Sequence, residues 1–136
     1  MIAMEDKTIH ITRGDATSEF NRLAFYFPYY DKETETEKNY KFKPTDKISF
    51  VVFEKKGYTK SEILRKEYTL ADIGYTEPVE TIEIPLTVED TKKFPLTNKA
   101  QTYWYEVILN ETTTILGYDD DGAKKVIIYP KTEEME

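Results

Sequence analysis

The sequence predicts an all-β protein, an antiparallel β-sandwich of about seven to nine strands with one short helical turn. The 136 residues include 11 Tyr and 7 Phe, which favour half-buried pleated surfaces. Short runs of alternating apolar and polar residues recur between turn signals, as in sandwiches and barrels. The chain contains no cysteine, so disulfides and thiolate sites are excluded and packing must hold the interior.

Nine runs carry the strand signal. In chain order they are Thr8–Thr12, Phe20–Tyr30, Tyr40–Phe42, Lys47–Lys55, Glu62–Leu70, Val79–Pro85, Tyr103–Leu109, Thr112–Tyr118 and Lys125–Tyr129.

The first half of the chain contains one predicted central strand. Thr8–Thr12 alternates cleanly. Phe20–Tyr30 is aromatic, and Pro28 within it marks a sheet edge or a strand end. Lys47–Lys55 carries apolar side chains on both faces, which is typical of a strand covered on both sides. The intervening Asp31–Lys38 is charged and Thr-rich, and it is predicted to be a solvated loop.

The middle of the chain contains one ambiguous run and one helix signal. Glu62–Leu70 fits a strand or a helix, and its alternation favours a strand. Val79–Pro85 alternates cleanly and is predicted to be a strand. Thr87 followed by Glu89 and Asp90 resembles a helix N-terminus, which predicts a single helical turn there.

The last three runs predict an antiparallel meander, because short polar turns separate them. The turn Asp119–Gly122 also invites comparison with a calcium loop. Such a loop needs acids at alternate positions and a Glu six residues after the Gly, where this chain has Ile128. A turn is therefore predicted, with Gly122 supplying the positive φ angle.

Length and composition indicate a single domain over residues 8–130, with flexible termini at 1–7 and 131–136. No apolar run is long enough for a transmembrane helix, and residues 1–7 lack signal-peptide architecture. The net charge of −7 argues against general nucleic-acid binding. Neither membrane nor nucleic acid is therefore expected as a partner.

Catalytic chemistry has few candidate residues. His10 is the only histidine, and no metal cluster or nucleophile–base pair can be assembled from it without cysteine. The acids Glu33, Glu35 and Glu37 lie in a predicted solvated loop, which cannot shift a carboxyl pKa for acid–base work. No catalytic, metal-binding or cofactor-binding residue is predicted, no cofactor is expected, and the chain is not expected to be an enzyme.

Exposed aromatic residues could instead form an interaction surface for a protein or a cell-wall glycan. Aromatic side chains at strand spacing are more often core residues. The candidates retained for the surface are Tyr26, Tyr29, Tyr30 and Trp104.

One cue favours the immunoglobulin-like form of the sandwich. The helical turn, a loop and then Tyr103-x-Tyr105 resemble a tyrosine corner, in which the hydroxyl bonds back to the backbone of the preceding loop.

Taken in order, the motifs resemble the amino-terminal domain of bacteriophage baseplate upper proteins of Gram-positive hosts. The likeness extends from about residue 8 to 130. The segments that carry it are Ile11–Asp15, Tyr40-x-Phe42-x-x-x-Asp46-x-Ile48-x-Phe50-x-Val52, Leu64-x-Lys66, Ile84-x-Leu86, Glu89–Thr91, Tyr103–Val107, Thr114–Gly117 and Lys124–Pro130.

This resemblance implies a β-sandwich in the tail or baseplate of a phage or prophage virion, made in the bacterial cytoplasm. It implies a role in assembly, through self-association and docking to other baseplate proteins. The matching residues are expected to be determinants of the fold: Arg13, Gly14, Asp15, Asp90, Thr91, Tyr103, Tyr105 and Gly117. Baseplate upper proteins usually continue into a long helical region, so docking of a receptor-binding protein is not expected of this chain.

Overall fold

The computed structural model describes residues 1–54 and 61–132. These residues form β-strands joined by turns, with one four-residue α-helix, α1 (Val88–Thr91). The all-β class predicted from the sequence is confirmed. The strands are β1 (Ile2–Glu5), β2 (Thr8–Thr12), β3 (Ala24–Tyr26), β4 (Pro28–Asp31), β5 (Thr36–Asn39), β6 (Lys47–Phe53), β7 (Glu62–Thr69), β8 (Thr81–Glu83), β9 (Gln101–Leu109), β10 (Thr113–Leu116) and β11 (Lys124–Tyr129).

A seven-stranded sheet has β9 and β6 in its interior. Its order is β1-β2-β11-β9-β6-β7, and β10 pairs with the edge of β9 that β11 also uses. Neighbours are antiparallel except β2 and β11, which run parallel. The central position predicted for β6 is confirmed, since Ser49 and Val51 are buried on one face and Phe50 and Val52 on the other.

A smaller layer covers one face of this sheet and completes the sandwich. It consists of β3 paired with β8, together with an isolated bridge between Phe42 and Val79. The ring of Phe25 on β3 lies 6.4 Å from that of Tyr105 on β9, so the two layers pack directly. Alternate residues of β9 enter this interface because strand side chains have a period of two. They are Tyr103, Tyr105, Val107 and Leu109.

The meander predicted for the last three strands is wrong. Strands β10 and β11 both run antiparallel to β9 along one of its edges, opposite 107–109 and 101–105 respectively. Residues 117–123 therefore form a loop between β10 and β11, which run in the same direction along β9. Backbone hydrogen bonds of 3.3 and 2.8 Å between Asp119 and Gly122 close this loop. Turn residues predict a reversal, but they do not specify which strands pair after it.

The prediction for residues 20–38 is also corrected. The long strand Phe20–Tyr30 is replaced by β3 and β4, separated at Phe27, and the Phe20 side chain is 87% exposed. The predicted loop Asp31–Lys38 instead contributes β5, which pairs with β4 as a hairpin. The turn between them uses a positive φ of 54° at Glu35, a conformation that side chains other than Gly rarely adopt.

The amino terminus joins the sheet, whereas the sequence predicted that residues 1–7 would be flexible. Strand β1 pairs with β2 across a turn in which Asp6 and Lys7 have φ angles of 46° and 68°. Hairpin turns with two positive φ angles usually carry Asn-Gly or Asp-Gly, so Asp-Lys gave no signal. Ile2 is buried in the core. Residues 133–136, part of the other predicted flexible terminus, lie outside the described residues.

Several remaining elements agree with the sequence. Glu62–Thr69 is a strand, as favoured. The predicted helical turn is α1, in which Thr87 and Asp90 form a reciprocal capping box. Val79–Pro85 contains the shorter β8. The strand predicted over Tyr40–Phe42 is wrong, because Phe42 makes only an isolated bridge with Val79. The predicted end of a strand at Lys55 lies outside the described residues.

The tyrosine-corner bond predicted for Tyr103-x-Tyr105 is not found among the described residues. The Tyr105 Oη donates a hydrogen bond of 2.7 Å to the Lys7 carbonyl, in the turn between β1 and β2, and not to the loop that precedes β9. Burial of the ring raises the pKa of Tyr105 above its usual range, so the group stays protonated as a donor. The hydroxyl thereby ties an interior strand to the amino-terminal hairpin.

Replacing Tyr105 with Phe is expected to lower the free energy of unfolding by about 1 kcal/mol, because one part-buried hydrogen bond is lost while the ring packing remains. Urea denaturation measures the change. Tyr103→Phe is the matched control on the same strand face, since its hydroxyl bonds to none of the residues in 1–54 or 61–132. Equal losses in the two variants would contradict a specific role for the bond to Lys7.

Candidate functional site

The four residues predicted to form an interaction surface lie on three different sheets. Tyr26, Tyr29 and Tyr30 lie close in sequence on β3 and β4, and they are 58%, 41% and 61% exposed. Trp104 lies on the interior strand β9, on the sheet face opposite Tyr105, and it is only half-buried. Of the four predicted residues, the three tyrosines are therefore the exposed ones.

The hairpin formed by β4 and β5 presents most of this surface. Its register pairs Tyr29 with Lys38 and Tyr30 with Glu37, and every residue of β5 is exposed. Because successive strand residues point to opposite faces, Tyr29 and Tyr30 project from the two sides of the ribbon. The hairpin is thus a two-sided aromatic arm, which we call the aromatic hairpin (residues 28–39).

A row of three contacting aromatic rings joins the aromatic hairpin to the core. The Tyr40 N–H donates to the Phe27 carbonyl at 2.8 Å, which continues the pairing below the hairpin. The Tyr40 ring lies 6.1 Å from that of Phe27 and 5.1 Å, edge-on, from that of the fully buried Phe42. An isolated two-stranded ribbon is marginal in water, so these contacts at its base hold it in place.

Asp46 fixes the same base through buried hydrogen bonds. Its carboxylate accepts from the Tyr40 hydroxyl and the Lys43 N–H, both at 2.8 Å, and from the Asn110 amide at 3.0 Å. Burial opposes ionisation of Asp46, but these donors outweigh burial and lower its pKa. Burial and the bond to Asp46 raise the pKa of Tyr40 to about 12.

The tip of the aromatic hairpin is charged and solvated. Lys38 binds Asp31 across the two strands at 2.8 Å, and this hydrogen bond lowers the pKa of Asp31. Glu33, Glu35 and Glu37 are exposed, as expected for acids in a solvated segment. The hairpin thus carries acidic, ammonium and phenol side chains.

The segment Arg13–Asp15 joins the end of β2 to α1. Thr91 is buried, and its hydroxyl accepts from the Gly14 N–H at 3.0 Å and donates to the Asp15 carbonyl at 2.7 Å. The Arg13 Nε donates to the Phe94 carbonyl at 2.9 Å. The Asp15 carboxylate binds the N-terminal amine and the Lys131 ammonium. The segment is therefore an internal clasp between β2 and α1.

The other predicted fold determinants also make internal contacts. Asp90 closes the capping box and receives the Lys66 ammonium of β7 at 2.8 Å. Burial opposes its ionisation, but Lys66 and Thr87 outweigh it and lower the pKa of Asp90. The Tyr103 ring lies 5.0 Å from that of Phe94. At Gly117, a Cβ would approach the Thr114 methyl to 2.6 Å, so the Thr114 side chain would have to shift to admit one.

An open groove that the sequence did not predict lies between β8 and the turn that follows β7. Its walls include Leu23, Tyr75 and Ile84, and Arg22 binds Glu83 at 2.8 Å on its rim. The Tyr75 hydroxyl accepts from the Glu83 N–H at 3.0 Å. Arg22 and Tyr75 therefore both engage Glu83 at this groove.

His10 and the acidic turn have structural partners. The His10 Nδ1 lies 2.8 Å from the Tyr129 hydroxyl, and the two rings stack at 5.8 Å. Asp119 accepts from the Asp121 N–H and binds the Lys124 ammonium, which makes the run a turn as predicted. Within 1–54 and 61–132, no three acidic or histidine side chains are grouped to hold a metal ion. Nor does any helix in those ranges have the length and apolarity to cross a membrane.

No family model, curated protein or solved structure matches this chain. Function must therefore be argued from the surface itself and from the motifs.

Thr91→Val is expected to lower the free energy of unfolding by about 2 kcal/mol. It keeps the shape of the side chain but leaves the Gly14 N–H and the Asp15 carbonyl without their partner. Thr102→Val is the matched control, because Thr102 is exposed on β9. Urea denaturation compares the two, and a loss no larger than that of Thr102→Val would contradict the clasp.

Stability is expected to fall in acid as the anchoring carboxylates are protonated. The pKa of folded Asp46 lies below its ordinary value of 3.8, so its contribution is present above that pH and is lost as pH falls through the folded pKa. The difference in unfolding free energy between wild type and Asp46→Asn should therefore shrink below pH 3.8. Denaturant titrations at several pH values measure it, and a constant difference would contradict this role.

Proposed function

We propose that this chain is a non-enzymatic structural protein of a bacteriophage or prophage tail or baseplate, acting by self-association and by docking to other virion proteins. The observation that carries the proposal is the aromatic hairpin, a solvent-exposed arm with a firmly anchored base. Tyrosine contributes large contact area together with a polar tip, and it is enriched at protein interfaces.

The geometry of the arm favours a protein partner. Tyr29 and Tyr30 project from opposite faces of the ribbon, so the hairpin can contact a partner on both sides. Its strands also expose backbone groups along their outer edges, to which another strand can add. A specific interface buries at least about 1,000 Å² in total, so the hairpin serves as one part of a larger contact.

Contacts between the motif segments support the phage resemblance. The segment Ile11–Asp15 meets Glu89–Thr91 through the Thr91 hydroxyl. Leu64-x-Lys66 meets the same helical segment through the ion pair between Lys66 and Asp90. Segments that carry the likeness are thus joined in space, as expected if they define a shared fold.

Strand order supports the immunoglobulin-like form of the sandwich. The variable-type domain has a G-F-C-C′ sheet packed on a sheet in which strands B and E are neighbours. Here β11-β9-β6-β7 and the β3–β8 pair have the corresponding order. In this proposal the Tyr105 bond to the amino-terminal hairpin replaces the bond to the preceding loop.

The non-enzymatic assignment is supported by the engagement of the reactive groups. His10 bonds to Tyr129, while Asp46 and Asp90 hold loops and a helix end. On this proposal the protein is made in the bacterial cytoplasm and resides in the virion, with copies of itself and other tail proteins as partners.

The alternative is a binding module for a cell-wall glycan, favoured by the exposure of Tyr26, Tyr29 and Tyr30. A sugar-stacking platform needs reachable rings that share a face. Tyr29 and Tyr30 lie on opposite faces, and Trp104 lies on another sheet. The phage structural proposal therefore accounts better for the arrangement.

If the proposal holds, Tyr29→Ser combined with Tyr30→Ser is expected to weaken docking to tail proteins of the same phage or prophage by about 30-fold, as for loss of interface hot spots. Biolayer interferometry with those purified proteins measures the affinity. Tyr118→Ser, which removes a 73% exposed ring in the turn after β10, is the matched control and should bind as wild type.

Two outcomes would contradict the proposal. No binding of wild-type protein to any co-encoded tail protein would remove the virion role. Specific glycan-array binding that is lost on Tyr29→Ser or Tyr30→Ser, in place of protein docking, would favour the binding-module alternative.

A further inference from the structure

Strand β7 forms a long edge of the seven-stranded sheet. It is eight residues long and pairs with β6 on one side. None of the other strands in residues 1–54 and 61–132 pairs with its outer side. Such an edge exposes backbone donors and acceptors that can pair with another chain.

The register shows which backbone groups face outward. Leu70 N–H donates to the Asp46 carbonyl at 3.1 Å, which makes these residues a hydrogen-bonded pair. Hydrogen-bonded pairs alternate along an antiparallel ladder, so Leu64, Lys66 and Tyr68 bond inward to β6. The odd-numbered residues 63–69 consequently direct their backbone groups to the outer edge.

The outward direction has an independent check at one end of the strand. The Thr69 N–H is capped by the Asp72 carboxylate at 3.2 Å, so it faces away from β6 and already has a partner. A turn therefore closes the edge at Thr69. Arg65 and Glu67, whose side chains are exposed on the same sheet face, remain as the middle of the edge.

We propose that two copies of this chain pair through the outer edge of β7, antiparallel, with a two-fold axis beside Lys66. This pairing places Arg65 of each copy opposite Glu67 of the other. Each of the two symmetric pairs exchanges both backbone hydrogen bonds, which gives about four in total. The inference rests on the self-association proposed above and specifies its surface.

On the face that carries Arg65 and Glu67, charge complementarity favours this register. The axis also places the two Lys66 side chains opposite each other on the other face, where the Asp90 carboxylate of each chain binds its own Lys66 ammonium at 2.8 Å. An axis at Arg65 would place the two Arg65 side chains opposite each other, and an axis at Glu67 would do the same for Glu67. Like charges directly opposite are destabilising, whereas opposite charges are favourable. Within one chain Arg65 already binds Glu67 at 2.7 Å and Glu62 at 2.8 Å, so it can bridge to the neighbouring strand without losing a carboxylate partner.

The expected dimer is weak by itself. Few residues meet, so the buried area falls below the roughly 1,200 Å² of stable complexes. Exposed ion pairs contribute little energy, so their main effect is to select the register and disfavour wrong partners. In a virion, neighbouring contacts would raise the effective concentration of the two edges.

Sedimentation velocity of the full chain, from about 10 μM to about 1 mM, tests the pairing. Wild type should dimerise with rising concentration. Arg65→Glu and Glu67→Arg should each weaken dimerisation at least tenfold, because each creates two like-charge contacts across the axis. An equimolar mixture of these two variants should dimerise again, since every Arg then faces a Glu.

Arg22→Glu is the matched control, since Arg22 is an exposed arginine that pairs with Glu83 away from β7. It should dimerise as wild type. Circular dichroism and thermal melts should be similar for all variants, because Arg65 and Glu67 are exposed.

Each contrary result overturns a defined part of the proposal. A wild-type dimer that neither charge reversal weakens overturns the β7 pairing but leaves self-association standing. A mixture that fails to recover overturns the register. If the wild type stays monomeric at the highest concentration, the pairing is overturned, and the charges of the β7 edge protect it from self-association. Docking through the aromatic hairpin is tested separately by the tail-protein binding experiment.

Discussion

The packing of Tyr105 joins more of this molecule than any other contact that we describe. Its ring meets Phe25 of the smaller layer and, at 5.8 Å, Phe50 of the neighbouring strand. Its hydroxyl reaches the turn at Lys7. The two layers and the amino-terminal hairpin thus share one side chain. In a chain without cysteine, stability depends on such interlocked aromatic packing.

Buried polar side chains hold the segments that lie outside the hydrophobic core. Asp46 holds the base of the aromatic hairpin, Thr91 clasps the end of β2, and Asp90 joins α1 to β7. Each group is buried and hydrogen-bonded, so removal of one partner leaves another unsatisfied. The exposed hairpin and edge can therefore stay in position although few apolar groups cover them.

The sequence predicted those strands in which burial produces a recognisable pattern of apolar residues. The run Lys47–Lys55 is predicted to be central because apolar groups fill both of its faces, and Glu62–Leu70 is predicted to be a strand because it alternates. The structure has β6 and β7 there. The aromatic hairpin was missed because β5 is exposed throughout, which removes the alternation that marks a strand. The contact between Gly14 and Thr91 joins residues 77 apart, and local patterning contains no information about such a pairing.

The two proposed surfaces differ in symmetry, and this difference constrains any assembly. Pairing of β7 with itself is isologous, so it joins two copies and then stops. In the proposed docking, the aromatic hairpin would contact a different surface, so that interface would be heterologous and could extend an assembly or link it to another protein. A chain that has both would enter a virion as a two-fold unit with two outward arms. A ring of odd copy number would then have to leave at least one β7 edge unpaired, so copy number in the virion bears directly on which surface dominates.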